Sequence, residues 1–189
     1  MLGWERMRFP TAFLAFVSLA LHAQQPPAPA IAADRQVVGM FDRLSRHALG
    51  VQPMLEQVRA ADWVSKGAAD TYVTQLNSAR QQIQAIQTDL ADLTQHPDHM
   101  QDCLKALFRI QGFHRSLDSL MAGLRSYQNP ALADLIVSVA AEDQADLEQL
   151  QNYILDLANR KEQEYQVVDR EAQRCRAIIS REPARRTNQ

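Results

Sequence analysis

The chain has 189 residues, 6 Gly, 8 Pro and a formal net charge of −2, enough for one ordinary domain with a buried core. Ala, Leu, Gln, Arg, Glu and Asp dominate, a helix-forming composition, and the scarcity of aromatics argues against a β-sandwich or barrel. The near-neutral balance offers no basic surface for nucleic acid or for an acidic membrane.

Residues 1–23 read as a secretory signal peptide. Arg6 and Arg8 form its basic start, and Phe9–Leu21 is its apolar stretch. That stretch is shorter than the roughly 20 residues of a spanning helix, which disfavours an uncleaved anchor. Ala20 and Ala23 are small, and cleavage is expected after Ala23. No Cys follows to take a lipid. The expected location is therefore periplasmic or secreted, with no stable membrane anchor after cleavage. Residues 24–33 contain Pro26, Pro27 and Pro29 and read as an extended Pro/Ala-rich linker. Residues 34–182 read as a helical bundle domain and 183–189 as a disordered tail.

From Asp34 the apolar residues recur at spacings of four and three, as on one buried helical face. The first stripe is Val37, Phe41, Leu44, Ala48, Val51, Leu55 and Val58. It keeps phase across Gly50 and Pro53, which predicts one kinked helix up to a turn at Ser65-Lys66-Gly67. The second stripe, Val73 to Leu93, stops at His96-Pro97. The third is Cys103, Leu107, Ile110, His114, Leu117, Met121 and Leu124, ending near Asn129-Pro130, an N-cap followed by proline at the first helical position. The fourth is Ile136, Ala140, Asp143, Leu147, Leu150, Ile154 and Leu157.

Short turns between long helices make neighbours antiparallel. Helices near 34–64, 68–95, 98–127 and 130–159 then end at matching levels. The expected fold is all-α, an antiparallel up-down four-helix bundle. No helix breaker occurs between residue 160 and Pro183, so the last helix is expected to run on past the bundle. Its first half, 131–159, has six acidic residues and no Lys or Arg, whereas residues 160–189 have eight basic and five acidic ones. This polarity suits the helix dipole. It also suits antiparallel pairing of two copies, a coiled-coil homodimer.

His114 and Asp143 are the strongly polar residues on the third and fourth stripes, equidistant from the turn between them. Ala79, with Arg80 beside it, and Gln52-Pro53 fall near the same level, so a polar layer is expected across mid-bundle. Read as structure, the pair fixes helix register. Read as function, His114 and Asp143 line a small-ligand or metal pocket. A second His cluster, His96, His99 and Met100, is a candidate copper site, although the same segment is a normal turn with Asp98 as N-cap. Cys103 and Cys175 lie too far apart along the bundle to pair within one chain unless the last helix reverses. Cys175 is thus a candidate for an intermolecular disulfide. No haem-attachment, phosphate-loop, dinucleotide or zinc-protease motif is present, and no catalytic residue or cofactor is expected.

Three short runs carry a resemblance: Trp63-Val64 with Gly67-Ala68 and Tyr72, the stretch Tyr127–Leu135, and Glu171–Arg176. They resemble a group of exported, all-helical bacterial proteins with no known activity. The resemblance covers roughly residues 40–182, with Ala69 where the group has proline. The functional expectation is a non-enzymatic interaction protein, scaffold-like or chaperone-like. It would work on a protein partner, or a second copy, through the C-terminal helix. The alternative is a small-ligand or metal-binding bundle centred on His114 and Asp143.

Overall fold

The computed structural model describes residues 29–181, with side chains described over 35–180. The expected signal peptide over 1–23, the part of the expected linker before Pro29 and the expected tail over 183–189 lie outside the described residues. All regular structure among the described residues is helical. The elements are α1 (Pro29–Leu55), α2 (Ala60–Val64), α3 (Thr71–Gln95), α4 (Met100–Tyr127), α5 (Pro130–Ala140), a 3-10 turn (Ala141–Asp143) and the long C-terminal α6 (Gln144–Arg181). Among them no helix is long and apolar enough to cross a membrane.

The apolar stripes explain which faces meet. Helix α1 packs on α3, α3 on α4, α4 on α5 and α6, and both α5 and α6 return to α1. The core runs from Met40 and Phe41 through Ile83, Ile86, Ile110 and Leu120 to Leu150 and Leu157, all nearly inaccessible. On α4 the buried aromatic is Phe113, whereas His114, expected on the stripe, sits half-buried at its border.

Several boundaries differ from expectation, each for a local reason. Helix α1 starts at Pro29, within the segment expected to be an extended linker. Proline is well tolerated in a first helical turn, and the Ala-Ile-Ala-Ala that follows is helix-forming. The kinked helix expected over 34–64 is two helices. Pro53 lies in the last turn of α1, where it has no N–H to donate and its ring crowds the preceding turn. The bonding then tightens, with the Gln57 amide donating to the Met54 carbonyl at 3.1 Å and that of Val58 to Leu55 at 3.3 Å. Arg80 Nη2 donates to the Leu55 carbonyl at 2.9 Å and closes the helix end. The N-cap of α4 is His99, not Asp98, and its side chain makes no capping bond. Asn129 does cap α5, its Oδ1 accepting from the Ala131 and Leu132 amides at 3.0 and 3.3 Å. Finally, the last helix is interrupted by the 3-10 turn, which places Asp143 where α5 and α6 join.

Candidate functional site

Among the described residues three carboxylates are buried, and each faces a base on a neighbouring helix. Asp89 of α3 accepts from Arg109 Nε and lies 2.8 Å from Lys105 Nζ, both on α4. That bond holds the Lys105 ammonium above its ordinary range. Asp146 of α6 meets Arg43 of α1 at 2.7 Å and His47 at 3.5 Å. Asp143 meets His114 of α4, Nε2 to Oδ2, at 3.0 Å. The seam between α1 and α3 is stitched without charge: Ser45 Oγ donates to Gln87 Oε1 and Gln87 Nε2 to the Ser45 carbonyl, both at 2.7 Å. Buried pairs of this kind add little net stability but disfavour slipped registers.

His114 and Asp143 thus come together, while the rest of the expected polar layer does not join them. Arg80 turns toward Leu55 and its neighbour Gln84 toward Gln52, so that end of the level is a separate helix cap. The His114–Asp143 pair lies beside a cleft of about 230 Å³, walled by Leu117, Met121, Ile136 and Val137. Asp143 is 5 % exposed, and its Oδ1 has no hydrogen-bond partner.

His96 and His99 stack, ring centroids 5.1 Å apart and 18° from parallel. His99 Nδ1 lies 3.3 Å from Asp102 Oδ2. Met100, half-buried, packs against the core. Among the described residues no three His, Cys, Asp or Glu converge as metal ligands.

Both thiols are free, Cys103 buried and Cys175 exposed. Burial, with Asp102 and Asp98 nearby, pushes the Cys103 thiol up to about 11. A maleimide should therefore label Cys175 alone in the native protein and both cysteines after denaturation, read by intact mass. Because folding raises this pKa, the stability of the neutral buried thiol is intact below the ordinary value of 9.0 and is lost as pH climbs toward about 11. The Tyr153 hydroxyl, half-buried and donating to the Pro97 carbonyl at 2.8 Å, is also raised, chiefly by desolvation, and acts in the same direction. Thermal unfolding of Cys103→Ala should show a shallower alkaline loss of Tm than the parent.

The two N-terminal runs behind the sequence resemblance, Trp63–Tyr72 and Tyr127–Leu135, meet at one end of the molecule. Trp63 packs edge-on against Tyr72, centroids 5.6 Å apart, and stacks on Tyr127 at 6.3 Å. Gln128 ties this end together: its Oε1 accepts from Trp63 Nε1 at 3.0 Å and from the Arg59 amide at 2.9 Å. Its Nε2 donates to the Gln57 carbonyl at 2.9 Å. Sequence reasoning missed this clamp and the Asp89 and Asp146 pairs. The available signal was an acid one position beside a stripe residue, Asp89 next to Leu90 and Asp146 next to Leu147.

Along the C-terminal part of α6, no residue between Asn159 and Ser180 is buried. Tyr165 is 71 % exposed, Val168 66 % and Ile179 71 %. The described residues form an all-helical fold with charged seams, a small acidic cleft and a bare terminal helix. Compared with known proteins, the chain matches no family model, no curated protein and no solved structure.

Proposed function

We propose that this chain is an exported, non-enzymatic interaction protein whose overshooting C-terminal helix pairs with a second copy of itself. In this reading α1, α3, α4 and the α5–α6 column form an antiparallel up-down bundle. The long-range pairs support that order. Ser45 with Gln87 and Leu55 with Arg80 run oppositely along α1 and α3. Arg43 with Asp146 and Gly50 with Val139 do the same along α1 and the last column. The signal peptide supports export.

The observation that carries the reading is the unburied stretch of α6. Tyr165, Val168, Ala172, Cys175 and Ile179 recur at spacings of three and four, a seam suited to a partner helix. At 1.5 Å per residue, 160–181 extends about 33 Å, and a lone helix of that length is marginal in water. Charge favours an antiparallel second copy. Of the acidic residues in 131–159, Asp134, Asp143 and Asp146 already have partners within the chain. Glu142, Glu148 and Asp156 remain exposed. They would face the basic half that carries Arg170, Arg174 and Arg176, with Cys175 in the seam.

Sedimentation equilibrium of the mature chain, 24–189, tests this. A dimer with a Kd of ~1 μM is expected, about −8 kcal/mol, and the double variant Val168→Glu/Ile179→Glu should be monomeric, with the Tm of the parent diluted well below its Kd. A parent that stays monomeric at ~100 μM, or a dimer that survives both substitutions, contradicts the proposal.

A further inference from the structure

The cleft beside Asp143 is independent of the α6 surface and has its own unanswered chemistry. A carboxylate carries about four acceptor sites, and burying one without partners is costly. Asp89 and Asp146 are each met by an Arg and a second base, whereas Asp143 has only His114 on Oδ2 and nothing on Oδ1. Asp118 lines the same cleft, exposed, with Gln144 beside it. No Lys or Arg is among the lining residues, so two carboxylates share the site without a fixed cation. The remaining walls are apolar: Leu117, Met121, Ile136 and Val137.

We infer that this cleft binds a small organic ammonium with an apolar body. Its N–H groups would satisfy Asp143 and reach toward Asp118, and its hydrocarbon part would lie on Met121 and Ile136. Asp143 lines the cleft with its unpartnered oxygen inaccessible, and because the terminal torsion of an Asp side chain is broad, binding would rotate the carboxylate to present that oxygen to the ligand. The backbone at this point is a 3-10 turn inside an otherwise α-helical column, a local irregularity that often accompanies a functional site. A divalent metal fits less well, because no third His, Cys, Asp or Glu converges there among the described residues. The volume, about 230 Å³, lies below the span of drug-sized pockets and suits a single ring or a short chain.

The test is a titration of the mature protein with benzylammonium, followed by amide shifts in NMR, with benzyl alcohol as the neutral isostere and zinc chloride as the metal arm. Expected is saturable binding in the millimolar range, with shifts centred on 114–121 and 136–144. Benzyl alcohol should bind at least about tenfold more weakly, and Asp143→Asn, which keeps the shape and removes the charge, should weaken benzylammonium by a similar factor. His114→Gln should retain binding. The inference is overturned if the ammonium and the alcohol bind alike, if Asp143→Asn binds as well as the parent, or if no saturable shift occurs. It is also overturned if zinc, in place of the amine, binds in an Asp143-dependent manner. Should Asp143→Asn unfold, Asp118→Asn, at an exposed position, should still weaken the ammonium severalfold, and an unchanged affinity there contradicts the site.

Discussion

Replacing Trp63 with alanine should lower stability by roughly 3–5 kcal/mol, the range for deleting a large buried aromatic, and lower Tm by about 10 °C or more. The side chain is completely buried. It belongs to the short helix α2, which is only five residues long and cannot persist on propensity alone. Removing the indole opens a cavity between Tyr72 and Tyr127 and takes one donor from Gln128. The clamp on residues 57–59 then loosens, and this end of the helical core frays with it. Trp63→Phe, which keeps one ring but loses the N–H and part of the indole volume, should cost less than Trp63→Ala, about 1–3 kcal/mol. Thermal and urea unfolding followed by circular dichroism distinguish the two. A loss below about 1 kcal/mol for Trp63→Ala would mean that this end contributes little to the cooperative unit.

Gly123→Ala should also destabilise, by about 1–3 kcal/mol, although alanine is the better helix former by roughly 1 kcal/mol. A Cβ at this position would lie 2.7 Å from Tyr72 Cε1 and 3.0 Å from Trp63 Cζ3. Tyr72 cannot swing away freely, because its ring is held between Trp63 and Tyr127. The clash outweighs the propensity gain. The two signs separate in a double-mutant cycle measured by urea unfolding. With Tyr72→Ala in the background, Gly123→Ala should become neutral or stabilising. If Gly123→Ala stabilises the parent, the close approach of α4 to the aromatic cluster is wrong.

Much of the fold was legible because burial follows helical period. The stripe from Leu76 through Ile83 and Ile86 to Leu93 is buried as expected, and Asn129-Pro130 caps α5 as its residue types imply. The meeting of His114 and Asp143 was legible too, since a short turn makes equidistant residues neighbours. The end of α1 was not. Val58 is buried in phase with the stripe and Trp63 is buried beyond it, yet they reach the core from a turn and a separate helix. Nothing local distinguishes that from a kink, and the deciding contact is with Gln128, 65 residues away in sequence from Trp63. The 3-10 turn at Ala141–Asp143 has no Gly or Pro to announce it. Arg109 and Arg43 were unreadable for another reason: a long side chain flanking a stripe can turn to either neighbouring helix, and packing decides which.

The long-range pairs also explain why the candidate cleft stands apart. At the other two buried carboxylates among the described residues, Asp89 and Asp146, the sequence supplies Arg or Lys from the facing helix. At Asp143 it supplies one imidazole and leaves an oxygen vacant of partners. The asymmetry comes from which side chains α4 turns to each neighbour: Lys105 and Arg109 face α3, whereas His114 and Asp118 line the cleft and Arg115, between them in sequence, is exposed and does not.

Amide hydrogen exchange across protein concentration tests the pairing of α6 most directly, because it reads the bare segment itself. In dilute protein, residues 160–181 should exchange almost freely while 76–93 stay protected, and raising the concentration through the dimer Kd should slow exchange in 160–181 by about tenfold or more without altering 76–93. If protection in 160–181 is already high at the lowest concentration, or does not change as the concentration rises, a second copy is not what this helix meets.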